Sequence, residues 1–372
     1  MNNGHFHPTE SSANQLRSPQ PQPIQMQPNP AQPFQAQAFP APIQTNGQMA
    51  APTPRSAESP RQISYRISHQ TEYHYSEPVA ACQNQIRMQP VDGGNLVCHD
   101  TLVRIDPDPN SWDEHSDYFG NLVTTFSIES IHTALRVVVE SRVTVTKPVI
   151  SDAEALIPWE QALREQTGWL NPHIEEHRYR SPRIVPSDSF AAYAGESFAP
   201  GRKIVEAALD LTRRINHDFR YDSTATTVDT TTEEAFGLRA GVCQDFAHVE
   251  IACLRSIGLA ARYVSGYLRT EPPPGKERLV GADESHAWLE IYAGEELGWL
   301  GLDPTNACLV STDHIPICVG RDYGDVSPMR GVVLGGGTNT LKVSVDVAPV
   351  EANSAPASTN GKDVGESSLG KP

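Results

Sequence analysis

Three residues with complementary chemistry stand in order in the second half of this chain: Cys243, His286 and Asp303. Cys243 heads the segment CQDFAHVEIACLRSIG, in which Phe246, Val249, Ala252, Cys253 and Ile257 fall at helical spacing. Gly258 is the expected stop of that helix. A thiol at a helix N-terminus feels the positive end of the macrodipole and unpaired N–H groups, which favour the thiolate. A thiolate is a nucleophile at neutral pH. His286 opens the alternating segment SHAWLEIY, and Asp303 closes GWLGLD. Folding these two segments around Gly294-Glu295, as a type II′ turn, sets His286 opposite Asp303, Trp288 opposite Gly301 and Glu290 opposite Trp299. Ala287, Leu289 and Ile291 then face Leu302, Leu300 and Gly298 as an apolar side. Opposed Cβ atoms lie about 5 Å apart, within reach of an imidazole–carboxylate hydrogen bond. Such a set attacks an amide carbonyl with the thiolate. It protonates the leaving amine from the imidazolium and holds the ring with the carboxylate.

The elements that must position these residues read as an α+β chain. Helical spacing begins at Ile204, Val205, Ala208, Leu209, Leu211 and Ile215, and Thr231-x-x-Glu234 is a capping box. The strand patterns LAARYVSGYL, SHAWLEIYA, GWLGLD and NTLKVSVDV follow. Helices first and strands afterwards exclude an alternating βαβ fold. Upstream, residues 61–148 form a small β-sandwich-like domain, with short strands broken by Asp-Pro, Pro-Asn and Gly-Asn turns. Its last strand carries Val137, Val139, Ser141, Val143 and Val145 on one face. Residues 149–197 read as a helical and irregular connector with a helix around Pro158, and 198–350 as the catalytic core. Residues 1–60, rich in Pro and Gln, and 351–372 have the composition of disordered tails. The first tail is either a passive extension or a Pro-rich docking arm.

Composition narrows the function classes. The 372 residues carry 29 Lys and Arg against 45 Asp and Glu, a formal net charge of −16, which argues against a nucleic-acid partner. The apolar runs are too short for a membrane-spanning helix, so no membrane partner is expected. The N-terminus shows neither a charged nor an apolar leader region, so the expected compartment is the cytoplasm. The six cysteines are widely spread with no C-x-x-C, which fits neither a disulfide framework nor a zinc site. No D-x-[DN]-x-[DN]-G loop supports calcium activation. The reading therefore contains no cofactor and no metal, and a peptide or protein as substrate.

The motifs GVCQDFA (241–247), GLAARYVSGY (258–267), HAWLE (286–290) and GWLGLDPTN (298–306) resemble the transglutaminase-like superfamily of papain-type cysteine enzymes. GRDYGDV (320–326) is similar to its bacterial branch, which also carries an N-terminal β region. Here the counterpart of that region runs from Tyr65 through the turn DYFGN at 117–121. The resemblance covers about 61–350 and implies a papain-like core in which helices pack on an antiparallel sheet. It implies Cys243 as nucleophile, His286 as base and Asp303 as orienting acid. Asp245 sits where a carboxylate satisfies free helix N–H groups. His248 reads as packing or surface, Cys253 as core, and Cys308 and Cys318 as free thiols. Trp288 and Tyr323 are the candidates for substrate binding, with core packing the alternative for Trp288 and a structural turn the alternative for Tyr323. The expected activity is a thiol-dependent amide hydrolase, a cysteine peptidase. A transglutaminase differs only in using an amine acceptor, and a non-catalytic peptide-binding module is the third reading. The oligomeric state is not readable from the sequence.

Overall fold

The computed structural model describes residues 62–150, 157–166, 172–270 and 284–350. Both expected tails, and parts of the helix expected around Pro158, lie outside the described residues. The chain opens with five strands: β1 (Gln62–Ile86), β2 (Leu96–Asp106), β3 (Ser111–Ser116), β4 (Leu122–Ile128) and β5 (His132–Thr146). Helices α1 (Trp159–Gln166), α2 (Pro172–Glu175), α3 (Asp188–Gly195) and α4 (Ile204–Asp218) follow. A short strand β6 (Arg220–Tyr221), helix α5 (Thr232–Leu238) and strand β7 (Ala240–Gly241) lead into helix α6 (Cys243–Ser256). Then come β8 (Ala261–Leu268), β9 (Glu284–Tyr292), β10 (Trp299–Asp303), β11 (Cys308–Leu309), β12 (His314–Gly320), the turn of helix α7 (Tyr323–Val326), β13 (Met329–Gly335) and β14 (Asn339–Pro349).

The first sheet is built on the long strand β1. Its first half pairs with β5 on one side and β14 on the other, and its second half with β4 and β13. The sheet curls around an apolar cluster that includes Val79, Ile86, Phe126, Ile128, Leu135 and Val137. Val137, Val139, Ser141, Val143 and Val145 are all buried, as the alternation in β5 requires. Two features depart from the sequence reading. Strand β3 is an exposed edge strand, and its segment SWDEHS carries no apolar alternation to announce it. Strands β13 and β14, which the sequence reading placed at the end of the catalytic unit, hydrogen-bond to β1 instead.

The second sheet is antiparallel, in the order β11-β10-β9-β8-β12. Helix α6 lies against β8 and β9, flanked by α3, α4 and α5. Helix α3 falls in the stretch read as a connector, yet Phe190, Tyr193 and Ala194 bury in the same cluster as Phe246, Val249 and Leu289. Val345 and Val347 of β14 and Tyr65 and Ile67 of β1 join that cluster, so both sheets share one core. The turn at 117–121 fastens them further. The Asn121 side-chain amide donates to the Val319 carbonyl at 2.8 Å and accepts from the Val319 N–H at 2.8 Å, as a neighbouring strand would. Among the described residues no helix is long and apolar enough to cross a membrane.

Candidate active site

Cys243 is the first residue of α6, as its motif predicts. The approach to it is fixed by backbone and carboxylate. Asp245 accepts from the Val242 N–H at 2.8 Å and from the Thr226 hydroxyl at 2.6 Å, the capping role expected of it. A Cβ on Gly241 would run into that carboxylate, so the residue before Val242 must be glycine. The capping box at Thr231 and Glu234 starts α5, which ends with Arg239 in the left-handed region. Gly258, at φ 87°, closes α6 as predicted.

His286 and Asp303 meet, but not by the predicted pairing. Leu300 lies opposite Ile291 and Leu302 opposite Leu289, two residues away from the register built on a Gly294-Glu295 turn. The hairpin closes instead between Ala293 and Gly298, whose N–H and carbonyl bond at 2.8 Å around a longer loop. A slip of two residues preserves the faces, because side chains alternate with a period of two. Ala287, Leu289, Ile291, Leu300 and Leu302 therefore still form the apolar set. The His286 ring reaches Asp303 diagonally, with Nε2 2.8 Å from Oδ2. The Cys243 thiol also bears on this imidazole and favours its charged form.

Asp303 is fully buried, and both its oxygens are saturated with donors. Oδ1 accepts from the N–H groups of Thr305 and Asn306 at 2.9 and 3.2 Å. Oδ2 receives His286, the Asn306 side-chain amide at 2.7 Å and His314 Nε2 at 3.0 Å. Burial works against the Asp303 charge, but the two histidines outweigh it and hold the carboxyl far below the usual range. Burial also opposes a charge on His286. The Asp303 charge and hydrogen bond, with the Cys243 thiol, overcome that and lift its pKa to about 10. The site is thus arranged for an imidazolium between a carboxylate and a sulfur.

Sequence reasoning missed His314 and Asn306. Asn306 ends the GWLGLDPTN motif, and nothing in the motif assigns its side chain a role. His314 comes from β12, on the far side of β8, and no spacing announces it. His286, Asp303 and His314 are also the one His/Asp group among the described residues whose atoms could converge on a metal ion. Their atoms already hydrogen-bond to one another, so the cluster is satisfied as it stands.

The other candidates fall into place around this centre. Trp288, 1% exposed, has no surface to offer a substrate. It packs edge-on against His314, with ring centres 5.4 Å apart, and lies over Gly266, where a Cβ would strike its ring. Tyr323 is half-buried, stacks under the Arg183 guanidinium and approaches Tyr263. His248 is buried, and its Nε2 accepts from the Tyr323 N–H at 3.2 Å. Desolvation holds its pKa down at about 3. Asp322 caps α7 through the Gly324 N–H and accepts from the Arg183 N–H. Arg321 pairs with Asp325. The 320–326 block is accordingly a structural turn locked to α6. Cys253 is core, and Cys308 and Cys318 are free thiols.

Comparison with known proteins bears on the family and the fold. The family described as bacterial transglutaminase-like N-terminal region matches residues 65–144, and the transglutaminase-like superfamily matches 191–304. Protein Rv2569c of Mycobacterium tuberculosis is 40% identical over 305 residues, covering 78% of this chain and 94% of its own. Protein ML0607 of Mycobacterium leprae is 31% identical over 291 residues, covering 76% and 97%. A crystal structure from Cytophaga hutchinsonii, provisionally named a cysteine protease, is similar in fold, with a TM-score of 0.63 at 21% identity over 79% of this chain and 93% of that one. With both of these regions matched in order along the chain, and with relatives that align over most of its length, the chain belongs to the transglutaminase-like superfamily.

Proposed function

We propose that the chain is a thiol-dependent amide hydrolase, a cysteine peptidase, working through an acyl-enzyme on Cys243 with His286 and Asp303. The observation that carries this reading is the buried relay in which Asp303 holds His286 and His286 meets the Cys243 thiol. Asp303 engages Nε2, which leaves Nδ1 for the sulfur. In the first step Sγ attacks the amide carbon, and the carbonyl π electrons move onto oxygen. The N–H groups at the start of α6 offer partial positive charge to that oxyanion. The tetrahedral adduct collapses as the C–N bond breaks. The Nδ1 proton passes to the leaving nitrogen, and a thioester remains. Water, deprotonated by Nδ1, then attacks the thioester carbon. The C–S bond breaks, the acid leaves, and the proton on Nδ1 restores the ion pair with sulfur.

The choice of water as acceptor rests on kinship with the bacterial branch. An amine acceptor, giving protein-glutamine transglutamination, uses the same first step. Both are tested in one experiment: a mixed peptide library containing glutamine is incubated with the protein, with and without a primary amine, and read by mass spectrometry. Cleaved peptides that depend on Cys243 and are indifferent to the amine are the expected result. Amine adducts without cleavage establish the transferase instead. Neither product, with Cys243 no more reactive than an ordinary thiol, leaves a peptide-binding module.

A further inference from the structure

We propose that His314 is a positioning residue of this site, a fourth member that pins Asp303 Oδ2 so that its charge stays aimed at His286; the inference rests on the acyl-enzyme reading above. Three observations carry it. His314 Nε2 lies 3.0 Å from the Asp303 oxygen that His286 uses at 2.8 Å, so one oxygen is held between two imidazoles. The tautomer of His314 is set independently: its Nδ1 accepts from the Ser311 N–H at 3.2 Å, which leaves the ring proton on Nε2, pointed at Asp303. The ring itself cannot drift. It is 3% exposed and held edge-on by Trp288, whose own position is bounded by Gly266.

The arrangement has a mechanical consequence. Asp303 is the last residue of β10, one beyond the Leu302–Leu289 pair with β9, and contacts His286 diagonally, so the pairing with β9 alone does not fix its carboxylate. Its Oδ1 is tied to the turn at 305–306, and the rotation that remains would swing Oδ2 away from His286. Two donors oppose that swing, the Asn306 amide from the same turn and His314 from β12. Among the described residues, only His314 donates to Asp303 from an element outside that turn and hairpin. Glu250 from α6 and Cys308 from β11 also face Asp303, and neither donates to it.

The test compares full-length wild type with His314→Phe, which keeps a ring against Trp288 but has no donor, and His314→Gln, which returns an N–H near Nε2. The readout is the iodoacetamide labelling rate of Cys243, by peptide mass spectrometry, at about pH 6 and about pH 9.5, on either side of an ordinary thiol pKa. His314→Phe should lose about ten-fold at the lower pH and little at the higher, where the thiol ionises unaided. His314→Gln should recover most of the loss. A His314→Phe protein that unfolds at the wild-type temperature and labels at the wild-type rate overturns the proposal. So does a His314→Gln protein that loses as much as His314→Phe. The wild-type chain gives a second reading that needs no variant: nitrogen NMR should find a His314 proton on Nε2, facing Asp303, and a proton on Nδ1 alone overturns the proposal. If wild-type Cys243 itself shows no advantage at the lower pH, the acyl-enzyme reading fails and takes the role of His314 with it. That result is distinct from one in which wild type is fast and His314→Phe equally fast.

Discussion

Asp303 accepts five hydrogen bonds from protein groups, and its charge decides the state of His286. Asp303→Asn keeps the shape and removes the charge. Amide hydrolysis should fall by about 10²–10⁴-fold, since a neutral amide neither fixes the tautomer nor supports the imidazolium. Measured turnover on a cleaved library peptide, with Cys243 still accessible to alkylation, checks this. The linkage of His286 has a definite sign. Its pKa rises from 6.5 to about 10 on folding, so its contribution to stability is complete below pH 6.5 and disappears as the pH climbs to about 10. In His286→Ala, stability measured by denaturant titration should decline less between those limits than in wild type. Cys243, His286 and Asp303 stand out in the sequence because their types carry the chemistry and each sits at or near the end of an element. His314 and Asn306 do not. Their role depends on which strands become neighbours, and a histidine starting a strand looks the same with or without a carboxylate beside it.

At the level of elements, the hairpin between β9 and β10 shows what periodicity can and cannot fix. Alternation assigns each residue to a face, and those assignments hold. The loop length sets the register, and the segment between Tyr292 and Trp299, with positive-φ glycines at 294 and 298, admits more than one closure. Helix α6 carries a testable cost of its position. Glu250 is fully buried, with one oxygen accepting from the Thr212 hydroxyl at 2.7 Å and the other without a partner. Burial, followed by the Asp303 charge and against the Thr212 bond, raises its pKa from 4.5 to about 8. The folded chain then keeps a proton that the unfolded chain releases, so this group's contribution to stability falls as the pH rises from 4.5 to about 8. Glu250→Gln removes that slope, and denaturant midpoints at both ends of the range should show a flatter profile than wild type. The start of α5 offers a simpler case. Thr231→Ala deletes the hydroxyl that accepts from the Glu234 N–H and should cost about 1 kcal/mol by denaturant titration.

Across the whole molecule, three buried histidines point to acid sensitivity. Burial lowers the pKa of His69 to about 4 and is the largest cause of the fall to about 3 at His177 and His248. Below pH 6.5 the unfolded chain binds protons that the folded chain refuses, so these sites draw stability down as the pH falls toward those values. Thermal unfolding scans across that range should show a steep acid limb, moderated in His69→Gln. The α+β class and the order of elements could be read from patterning, which is local. The partners of β1 could not, because nothing near residues 339–349 indicates that they return to residues 65–75. That return has a consequence for how the protein is made. A ribosome releases Tyr65 long before Pro349, yet the two are neighbours in the finished sheet. Until the last strand emerges, one edge of β1 stays bare, open to a protease or to another nascent chain. Ribosome-bound chains halted before residue 339 should be cut within 65–75, and protection should arrive only once residues 339–349 have emerged.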